Sequence, residues 1–196
     1  MIRIQHATHD FKSRQTEIEQ IYQLAFAGFP WYLQEPTEKV NKLFTDHVNK
    51  HGFEAMLAYA EDNSIAGALW YDVPSLSELE AERGEKLAEF ASQFLLSHPG
   101  TVLVWEREIF VKPTYQGQKI ASQLREQFLS LVKQEYPHGV LILTRMREDN
   151  IAIIHIAEKM GYLHTGIKTP STKQDISHEF WYKIVYSRDS KNSFKA

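Results

Sequence analysis

Ile109-Phe110-Val111-Lys112-Pro113-Thr114-Tyr115-Gln116-Gly117-Gln118-Lys119-Ile120-Ala121-Ser122-Gln123-Leu124 is the stretch on which the fold turns. A run rich in β-branched and aromatic residues ends at Val111 and Pro113 interrupts it. From about Gly117 apolar residues recur at helical spacing, as Ile120, Ala121, Leu124, Phe128, Leu131 and Val132. The segment therefore reads as strand, loop, helix. In the first turn of such a helix the backbone N–H groups lack intrahelical partners, and the helix dipole is positive there. That combination suits an anion such as a pyrophosphate, and Gly117, having no Cβ, lets a ligand come close to the chain. The same pattern also serves as an ordinary strand-to-helix connection in α/β proteins.

Downstream, Pro137-His138-Gly139 turns into a strand over 140–146, a helix follows over 150–160, and strands over 162–167 and 179–187 close the chain. Upstream, 101–111 is a long strand after Pro99-Gly100. Residues 75–97 read as helical with a break near Gly84. Strands over 53–61 and 65–73 are joined by the hairpin signal Asp62-Asn63-Ser64. A helix over 13–27 leads into the aromatic loop Gly28-Phe29-Pro30-Trp31-Tyr32, and Thr37 is placed to cap a second helix reaching about Lys50. Residues 2–6 form a first strand, followed by polar 8–10. The order β-α-α-β-β-(α)-β-α-β-α-β-β contains two strand–helix–strand units, which imply parallel pairing, and hairpins, which imply antiparallel pairing. The expected class is α/β (α+β), a mixed central sheet of about seven strands flanked by helices. With no repeat and no low-complexity linker, 1–196 is expected to form one domain, with a helical insertion at about 75–100.

The 196 residues are 43% hydrophobic, 12% aromatic and 24% charged, with a net charge of −3, which excludes a disordered chain. No basic excess exists to neutralise phosphates, so no nucleic-acid partner is expected. The absence of cysteine removes disulfides, thiolate metal sites and any mechanism that parks an acyl group on a thiol. The first ten residues do not read as a signal peptide, and the longest apolar runs fall far short of the roughly 20 residues that span a bilayer. The expectation is a cytoplasmic protein without a membrane partner, monomeric or homodimeric. His6-x-x-His9 and His47-x-x-x-His51 have metal-like spacing, but no companion carboxylate motif completes either, so both pairs read as surface histidines and no metal is expected. Gly161-x-x-x-x-Gly166-Ile167-Lys168-Thr169 imitates a phosphate loop but follows a helix instead of opening one.

The segment quoted first resembles the acetyl-CoA-binding motif of the GNAT N-acetyltransferase superfamily, in which a Pro-containing loop leads to Arg/Gln-x-x-Gly-x-Gly/Ala at a helix start. Gln116, Gly117, Ile120 and Ala121 match it, and Val111 and Pro113 stand at the family's strand end and proline. Lys119 departs from it, standing where the second glycine is usual. A second stretch, Asn150 to Tyr162, is similar to the family's downstream motif: Asn150, Gly161 and Tyr162 match, Ile153 replaces an alanine, and Ala157 stands where a tyrosine acid is frequent. The resemblance implies a GNAT-like sheet, with acetyl-CoA as acyl donor held by Phe110, Val111, Gln116, Gly117, Gln118, Lys119, Ile120, Ala121, Ser122 and Asn150. It also implies transfer of the acetyl group to a small-molecule or peptide amine by direct attack in a ternary complex. A non-catalytic acyl-CoA-binding or regulatory domain of the same fold is the alternative that Lys119 and Ala157 support.

On such a scaffold a backbone N–H at Phe110 or Val111 would polarise the thioester carbonyl. An amine of pKa near 10 needs a base before it can attack. Glu106 and Glu108, two apart in an otherwise apolar strand, are the candidate bases, with ion pairing to Arg107, Arg145 or Arg147 as the structural alternative. Tyr162, Tyr182 and Tyr186 are candidate acids or packing aromatics, Tyr162 being carried forward as catalytic. The aromatic loop 28–32 suits an apolar or cationic acceptor, or simply the core.

Overall fold

The computed structural model describes residues 2–170 and 176–186. Strands β1 (Arg3–His6), β2 (Glu54–Tyr59), β3 (Ile65–Asp72), β4 (Val102–Val111), β5 (Val140–Arg147), β6 (Leu163–Thr169) and β7 (His178–Val185) form one sheet in the order β1-β2-β3-β4-β5-β7-β6. The α-helices are α1 (Thr8–Ser13), α2 (Gln15–Ala27), α3 (Thr37–Val48), α4 (Leu76–Arg83), α5 (Glu85–Ser97), α6 (Ile120–Glu135) and α7 (Ile151–Lys159). The mixed sheet flanked by helices is the expected class. Tertiary contacts divide the chain into two compact units, Met1–Asp72 with Arg107–Phe128, and Val73–Glu106 with Leu129–Ala196.

In the first unit β1, β2 and β3 form an antiparallel meander. The β2–β3 turn is the Asp62-Asn63-Ser64 signal: Asp62 accepts hydrogen bonds from the Ser64 N–H and hydroxyl, and Asn63 takes φ +61°. An aromatic cluster of Phe11, Tyr22, Phe44, Trp70 and Phe110 fills the core under α1–α3. Polar 8–10, expected as a connection, instead opens α1, because Phe11 three residues on is fully buried and anchors the turn. Thr37 does not cap α3; Pro36 occupies that position and makes no side-chain cap. His47 is also not a surface residue: it is buried, and its Nδ1 accepts a hydrogen bond from the Trp70 indole at 3.1 Å.

In the second unit α4 and α5 occupy the stretch expected to be helical, with the break at Gly84. Ser75 and Glu78 form a reciprocal capping box at the start of α4, and Gly84 at φ +94° separates the two helices. Leu79, Leu87 and Ala91 bury against Leu103, Trp105, Leu141, Leu143 and Phe180. β4 and β5 pair in parallel from Val102↔Val140 to Glu106↔Thr144, and β5 pairs antiparallel with β7 along its full length.

Two features of the first unit are sensitive to substitution. A Cβ on Gly67 would lie 2.7 Å from the Phe110 carbonyl oxygen, a backbone atom that cannot swing away. Gly67→Ala is expected to cost about 1–3 kcal/mol in chemical denaturation. Arg107 holds Asp72 through two hydrogen bonds of 2.9 and 2.6 Å, with both side chains almost wholly buried. Removing one partner of such a pair strands the other charge, so Asp72→Asn should cost about 3–5 kcal/mol by the same measurement.

Candidate functional site

The loop after β4 is built by short-range bonds. The Lys112 N–H donates to the Ala66 carbonyl at 2.8 Å, the Tyr115 N–H to the Lys112 carbonyl at 2.8 Å, and a single 3₁₀ turn spans Pro113–Tyr115. The Gln116 side chain returns to donate to the Val111 carbonyl at 3.3 Å, tying the loop to the strand end. Gly117 has φ +77°, and a Cβ placed there would meet nothing within 4 Å. Gln116, Gly117, Gln118 and Lys119 are all exposed.

The first helical bond runs from the Gln123 N–H to the Lys119 carbonyl at 3.1 Å. The N–H groups of Ile120, Ala121 and Ser122 therefore precede the ladder and are free of it, as at any helix start. Lys119 has φ +61°, the left-handed conformation for which glycine is the usual residue. The chain keeps the backbone that a glycine would give here, and an exposed lysine adopts it. The Phe110 side chain points into the core, against Tyr22 and Trp70.

The two strand carboxylates are not equivalent. Glu106 is 1% exposed and accepts a 2.7 Å hydrogen bond from the Tyr162 phenol, itself buried. Glu108 is half-buried. Of the arginines anticipated as their partners, Arg107 pairs with Asp72 and Arg147 with Asp149. Tyr162 is placed by the end of α7: its N–H donates to the Ala157 carbonyl at 3.0 Å, after Gly161 at φ +75°. Lys183 closes the same turn by donating to the Met160 carbonyl at 2.6 Å, and burial lowers the pKa of its ammonium. Nothing in the sequence pointed to this lysine. Ala157 is fully buried, so α7 presents no phenol at that position. Asn150 caps α7, its Oδ1 accepting from the Ile153 N–H at 3.5 Å.

The remaining aromatics divide. Tyr182 packs edge-on against Phe90, and the Tyr186 hydroxyl is pushed up in pKa by burial. In the 28–32 loop Trp31 packs on Phe26, whereas Phe29 and Tyr32 are exposed and face each other at 6.1 Å. Among the described residues no group of three or more His, Asp or Glu could hold a metal ion, and no helix is long and apolar enough to cross a membrane.

One property of β4 and β5 emerges only from their register. Val102 to Trp105 and Val140 to Leu143 are apolar in both strands, and both turn polar on the same rung, Glu106↔Thr144. That rung closes the parallel ladder: β5 ends three residues on, at Arg147, while β4 runs on to Val111.

Comparison with known proteins agrees with this geometry. The profile of the Acetyltransferase (GNAT) family matches residues 18–162. No curated protein sequence matches the chain. Among solved structures, NAA60 of Arabidopsis thaliana, crystallised with a bisubstrate analogue, superposes with a TM-score of 0.65 at 14% identity, covering 94% of this chain and 99% of that one. The ribosomal-protein-alanine N-acetyltransferase of Brucella melitensis gives 0.62 at 15% identity over 93% and 99%. The yncA acetyltransferase of Salmonella typhimurium, solved with acetyl-CoA, gives 0.61 at 14% identity over 93% of each chain. Three-quarters of the chain matching one family profile, on the sheet order and strand–loop–helix described above, makes this protein an acyltransferase belonging to the GNAT acetyltransferase family.

Proposed function

We propose that the chain binds acetyl-CoA at the loop between β4 and α6 and transfers its acetyl group directly to an amine. The observation that carries this reading is the loop itself: exposed Gly117 with open space at its Cβ position, and Lys119 in the left-handed conformation just before the helix. Both turn the backbone so that the N–H groups of Ile120, Ala121 and Ser122 are offered to a pyrophosphate, with the positive end of a 16-residue helix behind them. Lys119 thereby supports cofactor binding, the opposite of the role that would favour a non-catalytic domain.

The reaction needs no covalent enzyme intermediate, in keeping with a chain free of cysteine. The amine nitrogen attacks the thioester carbonyl carbon, and the carbonyl oxygen takes up negative charge. A backbone N–H at the end of β4, at Phe110 or Val111, stabilises that oxyanion. The C–S bond then breaks and the thiolate leaves with coenzyme A. Before attack the ammonium must lose a proton. Of the two glutamates, Glu108 is the one that solvent and an acceptor can reach, while Glu106 is enclosed with the Tyr162 phenol on it. We assign Glu108 as the base. Glu106 and Tyr162 form a buried pair that holds β4 to the end of α7. With alanine at position 157, the departing thiolate takes its proton from solvent.

Gly117→Trp is expected to abolish acetyl-CoA binding in isothermal titration while lowering the melting temperature by only a few degrees, since the new side chain enters open space where the phosphates would lie and the cost is that of left-handed backbone, about 1–2 kcal/mol. Unchanged affinity in this variant would place the phosphates elsewhere. Coenzyme A binding without thiol release across a broad amine panel would favour the non-catalytic alternative.

Glu108→Gln should lower the acetylation rate at neutral pH by about 10²–10⁴-fold, with much of the loss recovered at high pH where the amine is already neutral. Glu106→Gln and Tyr162→Phe should lower the melting temperature, with little effect on the shape of the pH–rate profile. The reverse pattern would make Glu106 the base.

A further inference from the structure

β4 is held in two different ways along its length. From Val102 to Glu106 it pairs in parallel with β5, and that register ends at Glu106↔Thr144. Five further residues, Arg107 to Val111, carry the strand on to the loop before α6. Within the first unit this stretch is fastened to β3 at both of its ends. At the far end the Lys112 N–H donates to the Ala66 carbonyl at 2.8 Å, and the Phe110 carbonyl oxygen lies so close to Gly67 that a Cβ there would come within 2.7 Å of it. At the near end the fastening is ionic. Arg107 Nε and Nη2 donate to the two oxygens of Asp72, the last residue of β3, at 2.9 and 2.6 Å.

The pair is nearly out of solvent, its side chains 3% and 1% exposed. Desolvating two charges costs about as much as their attraction returns, and apolar side chains of the same volume often serve stability equally well or better. What an ion pair offers beyond an apolar one is direction. A guanidinium fork on both oxygens of a carboxylate has one planar geometry, whereas methyl and methylene groups pack in several. Fixing the Arg107 side chain fixes the rotation of the strand about its own axis at that residue, and so the direction in which the next side chain leaves. That next residue is Glu108, half-buried, at a point where the parallel ladder no longer holds the strand.

We propose that Asp72 and Arg107 are a positioning pair for Glu108, so that the carboxylate assigned as the base is aimed by a buried ion pair on the residue before it. This role rests on the reading of Glu108 as the base. Both side chains of the pair are too enclosed to meet a substrate, so they act through Glu108. The productive geometry of a base is lost with displacements of about 1 Å, which a strand free to rotate about its axis supplies.

The test replaces the pair by apolar side chains of similar size, Asp72→Leu together with Arg107→Met, so that neither charge is left without the other. Melting temperature is read by calorimetry, acetyl-CoA affinity by isothermal titration, and kcat per folded molecule from thiol release across pH. Expected are a melting temperature within a few degrees of wild type and an unchanged acetyl-CoA affinity. The neutral-pH kcat should fall by about 10–10²-fold, with much of the loss recovered at high pH where the amine is already neutral. Placed on Glu108→Gln, the double substitution should lower the rate no further, because a side chain that takes no proton has no direction to lose. An unchanged rate and pH profile in the apolar pair overturns the proposal and leaves Glu108 as the base. A fall that is just as large on Glu108→Gln also overturns it, since the pair then acts through another group. If Glu108→Gln itself keeps full activity across pH, the base assignment fails and the positioning role fails with it. Should the apolar pair not fold, Arg107→Lys carries the same comparison, keeping the charge beside Asp72 and losing the two-point fork.

Discussion

Parallel pairing of β4 with β5 is the constraint on which the rest depends. Two parallel strands cannot be joined by a tight turn, so the chain must leave the end of β4 and return through a crossover helix before β5 can begin. That helix is α6, and its start necessarily follows the carboxyl end of β4. The unsatisfied N–H groups of a helix start therefore come after the strand end as a matter of topology. What the local sequence adds is the turn between them: Pro113 to stop the strand, the Gln116 side chain to hold the Val111 carbonyl, and left-handed backbone at Gly117 and Lys119. The lysine carries a conformational cost of roughly 1–2 kcal/mol that a glycine would avoid. The fold keeps the shape of the turn and accepts the residue.

Three consecutive charged residues, Glu106, Arg107 and Glu108, sit in the middle of β4, and burying charge there is expensive without partners. The structure resolves each differently. Glu106 receives the Tyr162 phenol, Arg107 receives both oxygens of Asp72, and Glu108 stays half-open. A strand that needed only to hold the sheet would be served better by apolar residues, since well-packed hydrophobic groups often equal or exceed a buried ion pair in stability. The three charges are thus more easily understood from what the strand must do beyond holding the sheet.

Most of the fold was legible in the sequence because its signals are local. The Asp62-Asn63-Ser64 turn, the break at Gly84 and the strand–loop–helix at 109–124 each depend on residues close together in the chain, and each formed where expected. The errors came where tertiary burial overrode a local signal. Residues 8–10 look like a polar connection until Phe11 is seen to be buried, and His47 looks like a surface histidine until Trp70 donates to it across 23 residues. The same limit governed the site. Two glutamates at i and i+2 are indistinguishable in sequence; burial and the Tyr162 contact, 56 residues away, separate them. Asp72, the partner of Arg107, and Lys183, which closes the end of α7, are set by sheet register and left no sequence signal of their own.

The register also shows where stability gives way to another demand. A buried parallel pair is expected to read as continuous apolar runs, and β4 and β5 do so for four residues each, through Trp105 and Leu143. Both runs then end on one rung, and β7 meets that end of β5 with His178 and Glu179. Polar residues arriving together beyond the last apolar rung are not explained by any one strand's exposure, because Glu106, Thr144 and Arg147 are all buried. Sequences that fold well keep pattern and burial in agreement, and departures concentrate where function requires them. The departure here falls on the rung that closes the parallel ladder, five residues before β4 itself ends at Val111. β4 thus has two parts along its length: an apolar run that pairs with β5, and five further residues, Arg107 to Val111, from which the chain leaves through the loop to α6.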